Sequence, residues 1–401
     1  MADTLALAYR PMRFSDIVGN ENIARILKNS VLQGKVVNAY FFSGGRGTGK
    51  TSIARILSKA LQCENLQEDG EPCGVCQNCV DITEGRCPDV IELDAASENS
   101  VQGIRELTKT LSYYPTSAKY KILIIDECHS LSQQASNALL KTLEEPPSHA
   151  KFIFCTTEPH KVLDTIRSRC LVFNFKDIQV KDVVKRLRFI ADRENINIDD
   201  RALQFIAKYA NGGMRDAVML LEQSSFCKTD GSVIKSQDIM DIVGFVTTSD
   251  IQELFTILKG NSLEDLGNWL DTKLFSPTDI ISSAISFLET LLYIKQGVSP
   301  SLFISKDSVP SVMAMASNLS FSDIILIFNE FRQTLYDLRN LSVVNTSSLF
   351  KLRMFSLFDK LNSNGVREED LKIKTPQTKQ AFNRLKEDFG LVRVPLESLI
   401  T

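Results

Sequence analysis

The sequence has no excess of positive charge, no long apolar run and no basic stretch at its start. A net charge of −3 and a pI near 5.8 argue against a protein coated with basic residues for constitutive nucleic-acid binding. No apolar run approaches the roughly 20 residues of a membrane-spanning helix, so no membrane association is expected. The first four residues, M-A-D-T, lack the basic region that opens a signal peptide, so we expect a cytoplasmic protein.

The overall amino-acid composition is that of an ordinary globular protein. Hydrophobic residues make up 43% of the chain and charged residues 24%, which supplies apolar material for more than one core. A length of 401 residues favours two or three domains. No internal repeat or long low-complexity segment interrupts the chain.

A glycine-rich loop between a predicted strand and a predicted helix is the first candidate site. Residues 44–51 read G-G-R-G-T-G-K-T, the pattern of a nucleotide phosphate-binding loop, and lie between an apolar run at 39–42 and a helical pattern at 53–57. Glycines let several backbone N–H groups point at one anion, and the positive end of the following helix adds attraction. Lys50 is predicted to reach the β- and γ-phosphates, and the Thr51 hydroxyl to hold Mg²⁺. The expected phosphate-binding residues are Gly44, Gly45, Arg46, Gly47, Thr48, Gly49, Lys50, Thr51 and Ser52.

A second apolar run ends in two carboxylates. Residues 121–127 read K-I-L-I-I-D-E, which predicts a strand buried on both faces with Asp126 and Glu127 at its carboxyl end, where open α/β sheets bind ligands. Asp126 is predicted to help hold Mg²⁺, and Glu127 to orient or deprotonate an attacking water. His129 follows closely and is either a neighbour of this site or a hydrogen-bonded structural histidine.

Four cysteines lie within one short span. Cys63, Cys73, Cys76 and Cys79 have the spacing of a Cys₄ site for structural zinc, and a reducing cytosol favours a metal over disulfides. The run also resembles an iron–sulfur motif, but Cys87 comes too late in the chain to serve as the fourth ligand of that motif. Unliganded thiols are the remaining alternative.

The rest of the chain is predominantly helical. Helical patterns cover 180–191, 201–210 and 214–226, the last two separated by a glycine pair. From about residue 244 onward the pattern is helical throughout, most clearly at 321–340, and it contains no catalytic constellation. A buried strand at 152–155 ends at Thr156 and Thr157, either of which could hydrogen-bond a γ-phosphate, although both residues also simply favour strands. Arg215 lies in the first turn of a helix, which disfavours a cation unless an anion lies opposite.

The combined pattern resembles the clamp-loader ATPases of the AAA+ superfamily, and among them the gamma/tau subunits of bacterial DNA polymerase III. The resemblance rests on motifs that occur in the family's order over roughly the first 225 residues. These are Y-R-P-x-x-F at 9–14, V-G at 18–19, the phosphate loop, the cysteine cluster, D-E at 126–127, L-K-T-L-E-E-P-P at 140–147, T-T at 156–157, S-R-C at 168–170 and G-M-R-D-A at 213–217.

The resemblance implies an α/β plus all-α architecture. We expect an AAA+ parallel-sheet ATPase domain at 1–178 with a zinc module at about 63–87, and a helical lid at 179–243. A helical collar that mediates oligomerisation is expected at 244–370, followed by a peripheral extension at 371–401. The collar is implied only by position and length.

The resemblance also implies roles for individual residues. Val18 and Gly19 would lie by the adenine, and Thr157, or less readily Thr156, would contact the γ-phosphate as the sensor-1 residue. Arg215 would reach the same phosphate from the lid. Arg169 resembles the arginine finger, which enters the ATP site of the neighbouring subunit.

The implied activity is that of an ATP-hydrolysing motor subunit that loads a sliding clamp onto primed DNA, with no polymerase site of its own. The implied partners are delta-like, delta-prime-like and further gamma subunits in a pentamer, the clamp and primer–template DNA. Two other functions fit the residues: an ATPase-inactive structural subunit of the delta-prime kind, and another AAA+ motor such as a branch-migration helicase.

Overall fold

The computed structural model describes residues 4–228, 231–260, 262–273, 275–298, 309–340 and 346–362. The chain divides into two compact units, Met1–Ile239 and Met240–Thr401. The peripheral extension expected at 371–401, and the last residues of the expected collar, lie outside the described residues.

The first unit is organised around a parallel sheet. Its five strands lie in the order β2-β3-β4-β1-β5. They are β1 (Ala39–Gly44), β2 (Val90–Asp94), β3 (Lys121–Asp126), β4 (Ala150–Thr156) and β5 (Leu171–Phe175). Strands β1, β3 and β4 are almost continuously buried, as their unbroken apolar sequences predict for strands covered on both faces.

Helices connect these strands and continue beyond them. They are α1 (Leu5–Ala8), α2 (Glu21–Leu32), α3 (Lys50–Gln62), α4 (Gln77–Thr83), α5 (Val101–Leu111), α6 (Gln133–Glu144), α7 (Asp164–Arg167), α8 (Val180–Arg193), α9 (Asp200–Tyr209), α10 (Met214–Ser225) and α11 (Ser236–Val243). The three helices predicted after residue 180 are confirmed as α8 to α10, with small shifts of their ends. Helices α1, α4 and α7 were not predicted from the sequence, because each has only four to seven residues and is too short to show helical periodicity.

Alternating side chains of the central strands pack into two separate cores. On one face, Phe42 of β1 packs with Leu27 of α2 and Leu57 of α3. On the other face, Phe41 packs with residues of α5 and α6 such as Ile104. Both faces of the sheet are therefore covered, and the polar residues that end the strands lie at its carboxyl edge.

The second unit consists of helices over its described residues. They are α12 (Thr248–Leu258), α13 (Leu263–Thr272), α14 (Pro277–Lys295), α15 (Val309–Asn318), α16 (Phe321–Asn340) and α17 (Thr346–Asn362). One apolar core, which includes Phe255, Trp269 and Phe331, joins them. The helical stripe predicted at 321–340 therefore faces a core, as amphipathic helices of globular domains do.

The described helices do not include a single helix with the length and hydropathy of a membrane span. Helix α15 with residues 321–338 of α16 would pass by length and composition but is bent by 99° at the break.

Candidate nucleotide site and cysteine cluster

The phosphate loop curls tightly between β1 and α3. Gly47 has φ +73°, and a Cβ added there would come within 3.0 Å of the Gly213 Cα. A Cβ at Gly44 would come within 2.4 Å of the Phe175 carbonyl oxygen. Only glycine fits at these two positions, because the backbone of other segments approaches the loop closely.

Lys50, the first residue of α3, extends into this loop. Its side chain is buried, and Nζ donates hydrogen bonds to the carbonyl oxygens of Gly44 at 3.0 Å and Gly45 at 2.7 Å. Burial lowers the pKa of Lys50, while the charges of Glu127 and Asp126 act in the opposite direction. The arrangement puts a desolvated cation among backbone groups, where a phosphate oxygen would interact strongly with it.

Thr51 and Asp126 meet across the site. The Thr51 hydroxyl donates to Asp126 Oδ2 at 2.8 Å. Burial raises the pKa of Asp126, and the charge of Glu127 raises it further. A divalent cation at this pair would offset the cost of burying the carboxylate, so the donor set fits Mg²⁺ with its preference for oxygen ligands.

The side chain of Glu127 is held by the end of β4. Glu127 has left-handed backbone geometry, with φ +46°, and its Oε2 accepts hydrogen bonds from Thr157 N at 3.2 Å and Thr157 Oγ1 at 3.0 Å. His129 Nδ1 lies 3.3 Å from the same oxygen. The Thr156 hydroxyl contacts His129 Nδ1 at 3.1 Å and accepts from the Glu158 amide at 3.0 Å. Thr157, rather than Thr156, therefore contacts the carboxylate directly, and His129 lies between Thr156 and the Glu127 carboxylate.

A cavity of about 770 Å³ extends from the phosphate loop and the acidic end of β3 to the helices that follow the sheet. The residues from Arg46 to Ser52 line it together with Asp126 and Glu127. Arg215 also lines it, because Met214 N donates to the Gly47 carbonyl at 3.0 Å and brings the start of α10 to the loop. The volume of the cavity is in the range of nucleotide and cofactor sites.

Part of the cavity wall is apolar. It is formed by Ile17, Val18, Ile178, Met214 and Val218. Such a surface suits the faces of a purine base. Of the two residues expected by the adenine, Val18 lines the cavity. Gly19 lies next to it, and a Cβ added there would come within 2.9 Å of Ile178 Cγ2.

Arg10 belongs to the Y-R-P-x-x-F motif, but no role was predicted for it from the sequence. Arg10 lines the same cavity, and its Nε lies 3.4 Å from Ser52 Oγ. Burial lowers the pKa of Arg10, and the nearby charge of Arg55 lowers it further. The motif was visible in the sequence, but its position beside the phosphate loop depends on packing.

Arg169 lies apart from the cavity. Its guanidinium donates to Glu144 Oε1 at 2.6 Å and to the Thr165 carbonyl oxygen at 2.7 Å. About a third of its side chain is exposed, and it lines a separate surface depression with Glu144. Arg169 is therefore accessible from outside the chain and is not among the residues that line the 770 Å³ cavity.

The four cysteines converge between α3 and α4. The sulfur atoms of Cys63, Cys73, Cys76 and Cys79 all lie within 4.8 Å of one another, close to the separation of about 3.8 Å in tetrahedral zinc–thiolate sites. Burial disfavours the Cys73 thiolate, but N–H donors from Val75 and Cys76 outweigh this and bring its pKa to about 6. Burial raises the pKa of Cys63 and of Cys79, so a metal ion bound there would have to stabilise those two thiolates by its own charge.

Cys87 is not a member of the cluster. It is buried elsewhere, which agrees with its unsuitable spacing for an iron–sulfur run.

The sheet order, the phosphate loop and the acidic strand end define the chain as a P-loop nucleotide-binding protein of the AAA+ type. A family model described as "DNA polymerase III, delta subunit" matches residues 19–179. A second, described as "DNA polymerase III clamp loader subunit, ATPase lid domain", matches residues 182–226. The DNA polymerase III subunit gamma of Buchnera aphidicola subsp. Baizongia pistaciae is 36% identical over 334 residues, which is 81% of this chain and 88% of that protein. The chain belongs to the gamma/tau family of DNA polymerase III clamp-loader subunits.

Longer relatives match over a smaller share of their length. The DNA polymerase III subunit tau of Bacillus subtilis is 45% identical over 291 residues, covering 72% of this chain and 51% of that protein. The tau subunit of Escherichia coli is 45% identical over 250 residues, covering 62% of this chain and 38% of that protein. The chain thus spans about half of the first of these proteins, and less of the second.

Proposed function

We propose that this chain is an ATP-driven motor subunit of a sliding-clamp loader, acting on primed DNA in the cytoplasm. The observation that carries the proposal is the composition of one cavity, which brings together Lys50, Thr51, Asp126, Glu127 and Arg215. These residue types bind, polarise and cleave a triphosphate in P-loop ATPases. The relatives named as gamma and tau subunits support the clamp-loader assignment.

The side chains have complementary roles in the proposed hydrolysis. Lys50 and the loop amides bind the phosphates, and Thr51 and Asp126 would hold Mg²⁺, which would supply further positive charge beside the phosphate oxygens. Glu127 orients water toward the γ-phosphorus and accepts its proton as the bond to the ADP oxygen breaks. Thr157 fixes the Glu127 carboxylate, and Arg215 contacts the γ-phosphate from the lid.

Arg169 serves the neighbouring ATP site in this proposal. Its exposure and its separation from the cavity of its own chain support a role across a subunit boundary. A guanidinium that arrives only on assembly would stabilise the charge of the transition state. Hydrolysis would then depend on how adjacent subunits are arranged.

The domain roles follow from the same proposal. Residues 1–178 form the ATPase domain, 179–243 the lid and 244–370 the collar that assembles a pentamer with delta-like, delta-prime-like and further gamma subunits. ATP binding orders the subunits around the clamp and primer–template DNA. Hydrolysis then releases the closed clamp.

ATP turnover by the reconstituted complex tests this function. We expect turnover to rise when clamp and primed DNA are added together, and labelled clamp to become topologically linked to circular primed DNA. Assembly without any ATP turnover would instead favour an ATPase-inactive subunit of the delta-prime kind. Strand displacement in the absence of a clamp would favour a branch-migration motor.

We further propose that the four clustered cysteines hold one structural zinc ion. Four protein sulfur atoms supply enough ligands for a complete tetrahedral site, and the Val75 and Cys76 amides donate to the Cys73 sulfur. The metal would cross-link the two ends of the loop between α3 and α4, because Cys63 lies at its start and Cys76 and Cys79 at its end.

Elemental analysis checks the metal directly. We expect one zinc per chain, lost in Cys76→Ser because a hydroxyl is a poor zinc ligand. Cys227→Ser is the matched control, since Cys227 is exposed and lies outside the cluster, and it should retain the zinc. A brown preparation that contains iron, or a wild-type chain without metal, would contradict the assignment.

A further inference from the structure

The loop inside the cysteine cluster carries a buried carboxylate that no step above has used. Glu71 lies two residues before Cys73, and only 4% of its side chain is exposed. A buried carboxylate is costly unless charge and hydrogen bonds compensate it. The groups that contact the Glu71 carboxylate therefore show which part of the protein holds this loop in place.

Those partners belong to the segment at the start of the chain. Glu71 Oε2 accepts from Phe14 N at 2.8 Å, and Oε1 accepts from Ser15 N at 3.0 Å. These are the first two amides of the short 3₁₀ turn Phe14–Asp16, which have no acceptor within the turn. Lys28 Nζ of α2 lies 3.6 Å from Oε1 and supplies positive charge.

The segment that Glu71 fixes leads directly into the nucleotide cavity. Asp16, Ile17 and Val18 line the cavity, and Ile17 is 5% exposed. Phe14 and Ile17 pack in the same core as Leu27 of α2. A shift of the turn at Phe14 would therefore move the surface against which the base packs.

The loop that carries Glu71 runs between Cys63 and Cys73, two members of the cysteine cluster. The Gln67 amide donates to the Glu71 carbonyl at 3.0 Å, and the Gly70 amide donates to the Gln67 carbonyl at 2.8 Å, so the loop closes on itself just before Cys73. Cys63 directly follows α3, whose first residue is Lys50.

Helix α3 also contacts the N-terminal segment, through a residue near the carboxyl end of the helix. Lys59 Nζ of α3 donates to the Met12 carbonyl oxygen at 2.8 Å. The cluster is thus joined to the phosphate side of the cavity through α3 and to the base side through Glu71.

We propose that Glu71 is a positioning residue for the nucleotide, and that through it the metal-bound cysteine cluster fixes the base-binding wall formed by residues 16–18. The inference rests on the proposed ATP site. It assigns to the cysteine module a function in nucleotide affinity in addition to local stability. Metal binding and nucleotide binding are then coupled, so that each strengthens the other.

Two measurements on the full chain test the proposal: ADP affinity by calorimetry, and amide exchange of residues 12–19 compared with residues 44–51. In Glu71→Ala we expect ADP affinity to fall about tenfold, because two charge-assisted hydrogen bonds are lost. Exchange should accelerate at 12–19 and stay unchanged at 44–51. Zinc content should remain one per chain.

The matched control is Glu68→Ala, which removes an exposed carboxylate three residues earlier in the same loop. It should bind ADP and exchange amides like the wild type. If Glu71→Ala does not fold, Glu71→Gln carries the test, because it keeps the side-chain length with a weaker acceptor. It should show a smaller loss with the same regional pattern.

Removing zinc from the wild-type protein and from Glu71→Ala completes a cycle that measures the coupling between the metal and Glu71. Zinc loss should weaken ADP binding in the wild type but have little further effect in Glu71→Ala, since the connection is already broken. Wild-type ADP affinity in Glu71→Ala and Glu71→Gln, or equal acceleration at 12–19 and 44–51, would overturn the proposal while leaving the ATP site intact. A wild-type chain that binds no ADP would overturn the proposed function as well.

Discussion

Arg169→Ala is expected to lower ATP turnover by about 10³–10⁵-fold in a complex whose ATP-binding subunits all carry the change. The physical reason is the loss of a positive charge that stabilises the transition state from across a subunit boundary. ATP binding by the isolated chain should stay near the wild-type affinity, because Arg169 does not line the cavity of its own chain. Steady-state turnover and equilibrium binding of ATP separate the two effects.

Arg167→Ala is the control for this prediction. Arg167 lies two residues earlier, at the end of α7, and pairs with Asp164 at 2.7 Å on the surface. Its removal takes the same charge from the same region and should leave turnover within about twofold, since exposed ion pairs contribute little. Normal turnover in the Arg169 variant complex would disprove the shared site. Weakened ATP binding by the isolated variant would place Arg169 in its own site.

Glu127→Gln is expected to reduce turnover by about 10²–10⁴-fold while ATP still binds. The amide keeps the shape of the side chain and can still accept from Thr157, but it cannot take a proton from water. The affinity for ATP should stay the same or rise, because a negative charge near the phosphates is removed. Single-turnover hydrolysis of prebound ATP measures the chemical step apart from nucleotide exchange.

Glu145→Gln serves as the matched control. Glu145 follows α6 and lies outside the nucleotide cavity, so the same change of charge there should leave the single-turnover rate unaltered. Near-normal hydrolysis by Glu127→Gln would remove Glu127 as the catalytic base and would leave Asp126 as the carboxylate to examine next.

Several parts of the site could be predicted because their geometry is local in the chain. The phosphate loop combines its glycines, Lys50 and Thr51 within eight residues, so its spacing alone nearly fixes its shape. The apolar strand before Asp126 and the four clustered cysteines are similarly short patterns. Helix α16 could be predicted because its apolar stripe persists for many turns, whereas the four residues of α7 give no periodic signal.

The phosphate loop, the acidic strand end and the cysteine cluster are each encoded by neighbouring residues, so they can be identified from the sequence alone. The contact of Thr157 with Glu127, the pairing of Glu144 with Arg169 and the hydrogen bonds of Glu71 with the Phe14 and Ser15 amides arise only when the chain is folded. These partners are 25 to 57 residues apart. They meet because the helices and strands pack on shared apolar cores. The sequence pattern around a polar residue does not indicate which distant residue it will contact.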